Sequence, residues 1–153
     1  MHKNIVLKRI LAIDYGLKRV GLAATDPMQI IANGMETVAT SEVFDFLKKY
    51  ISEHPVARFV VGYPRQMDGS DSQIMPQIKK FTEKLRKTFP EIEIAFYDER
   101  FTSVLAHKAM LAGGLHKKDR QNKALADKIS ATIILQDYLE QSPLTPKGGK
   151  FKV

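Results

Sequence analysis

Short apolar runs separated by turn residues predict five β-strands. Two of these runs, 10–13 and 59–62, are continuously apolar, which is typical of strands covered on both faces of a sheet. Residues 20–24 follow the first run closely enough to return beside it as a hairpin, and 34–38 are predicted to add a third strand. Residues 92–96 place isoleucine or phenylalanine at every second position. This order predicts an antiparallel meander followed by two further strands.

Helical periodicity occurs between and after these strands. A first helix begins at Ser41, a candidate N-cap, and must end before Pro55. A second helix begins near residue 74 and tolerates Pro76 because that proline lies in its first turn. The apolar positions that define these two helices are Val43, Phe46, Leu47, Tyr50, Ile51, Ile74, Ile78, Phe81 and Leu85. A last helix, 124–141, is apolar over most of its circumference and must be heavily buried.

Strands and helices alternate after the meander, which predicts βαβ units with parallel strands. A further helix is expected between Thr102 or Ser103, either of which can cap it, and Gly113. We therefore expect an α/β fold with a mixed five-stranded sheet sandwiched by helices. One domain is expected over residues 1–141, followed over 142–153 by a flexible basic tail rich in proline, glycine and lysine.

The composition restricts the chemistry that the chain can carry. It contains no cysteine, which excludes disulfides, thiolate metal sites and cysteine nucleophiles. Any metal must use oxygen or imidazole ligands, which suits hard cations such as Mg²⁺. Neither a long apolar run nor an export leader is present, so we expect a cytoplasmic protein without a membrane partner. Lysine and arginine (24) exceed aspartate and glutamate (17), and the net charge of +7 favours phosphate-rich partners.

Acidic residues end two of the predicted strands. Asp14 directly follows a buried strand and precedes a glycine-containing turn, and Glu99 lies at the end of another strand. If the two strands are parallel neighbours, both acids emerge at the same edge of the sheet. Asp98 points to the face opposite Glu99, and the register decides which of the two faces Asp14. Each acid also has a structural explanation, as a turn residue, a helix-entry acid or a partner of Arg100.

Asp127 occupies an unusual place because it shares a helical stripe with Ala131, Ile134 and Tyr138. A charge on a packed stripe needs a cation, a basic partner or a shifted pKa. A structural salt bridge, for example to Lys123 or Arg100, is the alternative to a functional role. Three acids from distant segments, aimed at one edge in a basic protein, fit divalent-metal catalysis of phosphoryl transfer.

Four segments together resemble the YqgF (RuvX) family. They fall within about residues 9–141 and occur in the order and with the spacing typical of that family. The segments are Ile13-Asp14-Tyr15-Gly16-Leu17-Lys18-Arg19-Val20-Gly21, Gly62-Tyr63-Pro64, Asp98-Glu99-Arg100-Phe101-Thr102-Ser103 and Asp127-Lys128-Ile129-Ser130-Ala131. Ser130 stands where many relatives have alanine, a change between small residues that leaves the acids intact.

The resemblance implies an RNase H-like fold related to the RuvC Holliday junction resolvases, and a nuclease that matures the 5′ end of pre-16S rRNA. It implies that Asp14, Glu99 and Asp127 are the catalytic acids and the ligands of Mg²⁺, with Mn²⁺ as a substitute. It thereby selects Glu99 over Asp98. The expected partners are nucleic acid, either pre-rRNA or branched DNA, and the small ribosomal subunit. We expect a monomer or a weak homodimer.

Basic residues near the acids are candidates for contact with phosphate groups. Arg100 is also able to hold Glu99 or Asp98 by a charge-assisted hydrogen bond. The basic loop before the last helix is either a solvated loop or a grip on the nucleic-acid backbone. The nucleic-acid-binding candidates are Lys18, Arg19, Arg100, Lys117, Lys118 and Arg120.

Other functions fit parts of the pattern. The Asp-x-Gly turn followed by a second glycine also resembles the first phosphate loop of the sugar kinase, Hsp70 and actin superfamily, but those proteins need two such domains. A non-catalytic RNA-binding or ribosome-assembly module would keep the acids for stability alone. Branched DNA and precursor RNA are both polyanions, and no array of base-reading aromatic residues distinguishes them.

Overall fold

Strand β1 (Arg9–Tyr15) is the centre of a mixed sheet in this protein, for which a computed structural model describes residues 7–63, 73–98 and 123–141. The other described strands are β2 (Arg19–Thr25), β3 (Ala32–Gly34), β4 (Val38–Ala39), β5 (Val56–Tyr63) and β6 (Glu93–Asp98). The described helices are α1 (Val43–Glu53), α2 (Met75–Thr88) and α3 (Lys123–Gln141), and a 3₁₀ turn at Thr40–Glu42 precedes α1.

The strand order in the sheet is β3-β2-β1-β5-β6, and β4 also pairs with β2. β1 and β2 form the antiparallel hairpin, whereas β1, β5 and β6 are parallel neighbours. α2 lies between β5 and β6 in the chain, as parallel strands require a crossover connection. The predicted α/β fold, with an antiparallel meander joined to parallel strands, is confirmed.

The third predicted strand, 34–38, is split in the structure. β3 pairs Gly34 with Ala23, whereas β4 pairs Val38 with Val20. Gly34 and Val38 are four residues apart, whereas their partners on β2, Ala23 and Val20, are three residues apart. In a continuous antiparallel ladder the two separations would be equal. One extra residue is therefore inserted, as in a β-bulge, and the prediction of a single strand was wrong. Six strands are described, but β3 and β4 share one position, so the sheet is five strands wide.

The sheet separates two hydrophobic cores. α1 and α2 cover the face to which β1 contributes Leu11 and Ile13, and α3 covers the face to which β1 contributes Ile10 and Ala12. The buried helix residues are Val43, Leu47, Met75, Ile78, Phe81 and Leu85 on the first face, and Ala131, Ile134, Leu135 and Tyr138 on the second. Burial of each large apolar side chain contributes about 1.5–3 kcal/mol. Both faces of the parallel strands are covered, as their continuously apolar sequences predicted.

Polar contacts join the C-terminal half of α3 to the parallel strands. Tyr138 Oη accepts a hydrogen bond from Arg58 Nη1 at 2.7 Å, and Arg58 Nε donates to Glu93 Oε1 at 2.7 Å. Tyr97 Oη donates to Asp137 Oδ2. Because these contacts come from two different strands, they restrict rotation of α3 and define the face that it turns toward the sheet.

The helix boundaries follow the predicted stop signals, but one predicted cap is wrong. α1 ends before Pro55, and Pro76 lies in the first turn of α2. Ser41 is not an N-cap, because it lies in the 3₁₀ turn Thr40–Glu42 and α1 begins at Val43 without a side-chain cap hydrogen bond. The Val43 N–H instead bonds to the backbone within that turn, so a tighter turn replaces the side-chain cap.

Other predictions lie outside the described residues, namely the helix expected over 102–113 and the tail expected over 142–153. The helix predicted over 124–141 is present as α3. Within the described residues, no helix has both the length and the apolar character needed to cross a membrane.

Candidate active site at the carboxyl ends of the parallel strands

The carboxyl ends of the three parallel strands meet at one edge of the sheet. Asp14, Gly62 and Tyr97 form a row of register partners across β1, β5 and β6, and Asp98 follows at the next position. Loops leave a parallel sheet at this edge, which is where functional groups collect in such folds. The end of β1 and the end of β6 therefore lie on the same side of the molecule, with only β5 between them.

Asp14 lies on the face of the sheet that α3 covers. Ile10 and Ala12, at the same phase of β1, belong to the core against α3, whereas Leu11 and Ile13 belong to the opposite core. Asp14 is half-buried, unlike the fully buried residues that precede it. Its carboxylate thus stands where the α3 core ends, and partial exclusion of water strengthens its attraction to any nearby cation.

Glycines flank Asp14 on both neighbouring strands. Its partner on β2 is Gly21, and its partner on β5 is Gly62. Neither neighbour can place a side chain against the carboxylate, and the next side chain in the row is that of Tyr97. Sequence spacing could not assign a role to these glycines, because their position beside Asp14 follows from the register of three strands. The signal was present only as glycines within the family-like motifs.

Helix α3 presents a buried stripe to the sheet. Ala131 and Ile134 are fully buried against the sheet, and Tyr138 is nearly so. Position 127 precedes these residues by four, seven and eleven residues, the spacing from which the sequence predicts a shared stripe. The helix that covers the Asp14 face is therefore the one that contains Asp127.

Asp98 lies on the other face of the sheet from Asp14. In β6, Phe96 packs in the α1–α2 core, whereas Tyr97 packs in the α3 core. Alternation along the strand places Asp98 with Phe96. The register therefore excludes Asp98 as a neighbour of Asp14 on the α3 face, an alternative that spacing alone left open.

The hairpin between β1 and β2 carries the two basic candidates that the structure describes. Lys18 is exposed in the turn, and Arg19 is half-buried at the start of β2. Arg19 has the same phase as Gly21 and Ala23, so it lies on the α3 face, as Asp14 does. The structure thus brings one acidic and one basic candidate to the same face and edge.

The turn of this hairpin is tightly packed. A Cβ atom at Gly16 would lie 2.5 Å from the backbone oxygen of Arg19, so only glycine fits without a shift of the turn. Thr40 Oγ1 donates to the oxygen of Gly16 at 2.7 Å, and Thr40 N donates to the oxygen of Lys18 at 3.0 Å. These contacts attach the hairpin to the 3₁₀ turn and keep the end of β1 in place.

Other candidates lie outside the described part of the chain. They are Glu99, the side chain of Asp127, Arg100, Lys117, Lys118 and Arg120. Among the described side chains, no group of three histidine, aspartate or glutamate residues is placed to hold a metal ion. Asp14 itself fits such a role, because carboxylate oxygen is a preferred ligand of Mg²⁺ and the chain has no cysteine to favour softer metals.

Comparison with known proteins identifies the family. Residues 8–141 match RuvX, a family described as Holliday junction resolvase. The chain belongs to the RuvX family. The resemblance drawn from the four sequence segments is thereby confirmed.

Curated relatives in the RuvX family match nearly the whole chain. A protein of Phocaeicola vulgatus is 61% identical over 134 residues, which cover 88% of this chain and 96% of the relative. A protein of Bacteroides fragilis is 54% identical over 138 residues, covering 90% and 100%, and one of Flavobacterium psychrophilum is 52% identical over 133 residues, covering 87% and 97%. Each is named "Putative pre-16S rRNA nuclease".

Solved structures confirm the fold expected of a RuvX-family chain. RuvC of Thermus thermophilus, in complex with a Holliday junction substrate, matches with a TM-score of 0.53 and 13% identity, covering 88% of this chain and 96% of RuvC. RuvC of the same organism in a second structure matches with a TM-score of 0.53 and 11% identity. At this level of identity the likeness concerns the fold, which is RNase H-like as predicted.

Proposed function

We propose that this protein is a metal-dependent endonuclease that hydrolyses phosphodiester bonds in the 5′-end maturation of pre-16S rRNA. The nuclease class follows from the family and from the names of the curated relatives. One structural observation supports the proposal most. Asp14 is half-buried at the carboxyl end of β1, the central strand of the sheet, between two glycines and on the face that α3 covers.

Asp14, Glu99 and Asp127 are the proposed catalytic acids and ligands of Mg²⁺, with Mn²⁺ as a substitute. In the sequence, position 99 follows Tyr97 by two residues, and position 127 precedes Ala131 by four; Tyr97 and Ala131 both pack in the α3 core. A divalent cation bound by such a set would neutralise charge on the scissile phosphate and lower the pKa of an attacking water.

The protein side chains have separate roles in this proposal. Asp14 accepts a hydrogen bond from the attacking water and orients it, and its partial burial keeps the carboxylate weakly screened. Arg19 lies on the same face and edge and binds a phosphate oxygen next to the scissile bond. Lys18, exposed at the hairpin tip, contacts the phosphate that follows. The basic residues proposed to extend this contact are Arg100, Lys117, Lys118 and Arg120.

Substitution of the acids, with Asp98 as a matched control, tests the catalytic assignment. Asp14→Asn and Glu99→Gln remove a charge and keep the shape of the side chain. We expect each to lower Mg²⁺-dependent cleavage of an extended 16S rRNA precursor by a factor on the order of 10² to 10⁴. Asp98→Asn removes a charge from the same edge but from the opposite face, so it should retain most of the activity.

The outcomes of this experiment separate the alternatives. Cleavage by the Asp14→Asn variant at the wild-type rate would refute the assignment of Asp14 as a catalytic residue. A loss in Asp98→Asn without one in Glu99→Gln would move the role to Asp98. RNA binding, measured by fluorescence anisotropy, should survive in Asp14→Asn. A non-catalytic assembly factor would bind RNA in every variant and cleave it in none, including the wild type.

A junction resolvase is the second candidate function, because the matching family is described by that activity. Purified protein with Mg²⁺ or Mn²⁺ should therefore be assayed in parallel on four-way DNA junctions and on extended ribosomal RNA. Cleavage of the junction alone would overturn the rRNA assignment. The proposal further places the protein in the cytoplasm, as a monomer or weak homodimer that meets the small ribosomal subunit. Co-sedimentation with small subunits tests the ribosomal contact, and analytical ultracentrifugation tests the oligomeric state.

A further inference from the structure

We propose that a groove between α1 and α2 binds the single-stranded nucleic acid that continues from the scissile bond. This inference rests on the proposed nuclease function and adds a second substrate contact to it. The groove has a volume of about 420 Å³ and lies on the face of the sheet opposite Asp14. Lys48 of α1 and Lys80 and Lys84 of α2 line it, together with Asp45. Among the lining residues that the structure describes, three positive charges against one negative charge make the groove attractive to a polyanion.

Aromatic rings form the floor of the groove. The rings of Tyr15 and Phe81 have centroids 4.7 Å apart, and those of Phe44 and Phe81 are 5.4 Å apart. Phe81 is buried, whereas Tyr15 and Phe44 are half-buried and keep part of their ring surface at the groove. Lys84 Nζ lies 4.5 Å from the centroid of Phe44, so a cation is held directly beside this aromatic surface.

The combination of rings and cations favours single-stranded nucleic acid over other polyanions. Single-stranded binding sites stack bases on aromatic side chains and hold the backbone with lysine or arginine. Lys48 and Lys80 are exposed and form no ion pair or hydrogen bond with the described residues, so their charge is available to phosphate. The volume admits on the order of one nucleotide. Bases stacked inside a duplex could not reach the recessed rings.

The groove and the candidate active site lie on opposite faces of the sheet but meet at the carboxyl end of β1. Tyr15 lines the groove, and Asp14 precedes it in β1, so their Cα atoms are about 3.8 Å apart while their side chains lie on opposite faces. Thr40, which also lines the groove, donates a hydrogen bond to the oxygen of Gly16 in the β1–β2 turn. A strand that leaves Asp14 and crosses the sheet edge at Lys18 therefore enters the groove within a few nucleotides.

Two triple variants of equal charge test the groove. Lys48→Gln/Lys80→Gln/Lys84→Gln removes its cations. The control, Lys49→Gln/Lys79→Gln/Lys87→Gln, removes three exposed lysines from the same two helices that do not line the groove. Both are made in the Asp14→Asn background, so that binding is measured without cleavage. The probes are a fluorescent single-stranded RNA of about 12 nucleotides, a DNA of the same sequence, and the corresponding duplex.

We expect the groove variant to bind the single-stranded RNA about tenfold more weakly than its parent, and the control variant to bind like its parent. If three phosphates contact the groove lysines, the slope of log Kd against log salt should decrease by about 2 in the groove variant, since each phosphate on a single strand contributes about 0.7. The duplex should show no such difference. An equal loss with single-stranded DNA supports the same site, as does a loss confined to RNA.

An aromatic pair tests the floor of the groove in the same assay. Phe44→Leu keeps an apolar side chain but removes a stacking surface, and we expect about a fivefold loss of affinity. Phe46→Leu, on the same helix but outside the groove, is the control. Thermal melts should establish that both variants fold.

Several outcomes would overturn the inference. Equal weakening by both triple variants would assign the effect to overall charge, and unchanged binding by the groove variant would exclude the site. Loss of binding to an acidic peptide, without a loss for RNA, would assign the groove to a protein partner. If the wild type cleaves no substrate but only the groove variant loses single-strand binding, the proposed function fails and the groove stands. If cleavage depends on Asp14 and the groove variant binds like its parent, the groove alone fails.

Discussion

Truncation of a core side chain of α3 should impair catalysis more than an equal truncation in the core on the opposite face of the sheet. Ile134 of α3 and Leu47 of α1 are both fully buried, in the two separate cores of the sheet. Ile134→Ala loosens the helix that carries the proposed catalytic Asp127. Leu47→Ala loosens a helix that carries none of the proposed acids. The pair thus separates loss of stability from loss of catalytic geometry.

The expected loss of stability is similar for the two variants. Each removes buried methyl or methylene groups worth about 0.8 kcal/mol apiece in transfer free energy, and the cavity left behind brings the total to about 2–5 kcal/mol. In a domain of this size, 1 kcal/mol shifts Tm by about 2–4 °C. A loss of about 3 kcal/mol therefore lowers Tm by about 6–12 °C. Urea denaturation and thermal melts measure both quantities.

The expected loss of activity differs between the two variants. A displacement of about 1 Å in a catalytic group can reduce a rate about 100-fold, so we expect Ile134→Ala to lower kcat by about tenfold or more. Leu47→Ala should leave kcat near the wild-type value, although it can raise KM because α1 lines the groove. The rates should be measured at saturating substrate and at a temperature where both variants are fully folded by their melting curves.

Two results would refute this reasoning. If the two variants lose kcat equally, the activity follows general stability and α3 has no special part in catalysis. If Ile134→Ala loses stability but keeps its full kcat, the acid carried by α3 is not required for the reaction.

Three further predictions concern turns and polar contacts. Gly16→Ala should lower the free energy of unfolding by about 1–3 kcal/mol, because its Cβ would collide with backbone in the β1–β2 turn; a variant as stable as the wild type in urea would contradict this. The backbone N–H groups of Ile31, Ile30 and Met28 donate to the Asp26 carboxylate and lower its pKa. The charged carboxylate therefore stabilises the fold above about pH 4, and this stabilisation is lost as the pH falls through the lowered pKa of the folded state. The gap in urea midpoint between wild type and Asp26→Asn should therefore be smaller at about pH 3 than at neutral pH, and an equal gap would refute the assignment. Tyr97→Phe should lower the free energy of unfolding by about 1.5–3 kcal/mol, because it removes the hydrogen-bond donor to Asp137. An unchanged urea midpoint would contradict this.

The elements that were predictable from sequence are those with strong apolar patterns. The continuous run in β1 and the periodic stripes of α1 and α2 reflect burial, which dominates local structure. The split between β3 and β4 was not predictable, because one inserted residue changes the register without changing the apolar pattern. The predicted N-cap at Ser41 was wrong for a similar reason. A serine before a helix fits either an N-cap or a 3₁₀ turn, and backbone hydrogen bonding decides between them.

The candidate site was predictable only in part. Asp14 could be selected from its place after a buried strand. Periodicity left both Asp98 and Glu99 open, and the family resemblance selected Glu99. The packing of Phe96 and Tyr97 adds that Asp98 lies on the face opposite Asp14, which periodicity does not provide. The lysines of the groove were beyond sequence reasoning, because on α1 and α2 they have the pattern of ordinary solvated helix faces.

The alternation of one strand leads to a separation of catalysis from affinity. Asp14 and Tyr15 are consecutive, but Asp14 faces the core of α3 and Tyr15 faces the groove of α1 and α2. Loosening α3 should therefore lower kcat without changing the Kd of single-stranded RNA, whereas removing the groove lysines should raise that Kd. In the variant that combines Ile134→Ala with the three groove substitutions, the free-energy loss from the lower kcat and the loss from the higher Kd should add, because sites without shared contacts are independent. Strong non-additivity would mean that both surfaces act through one element, and β1, which contributes to both, would be that element.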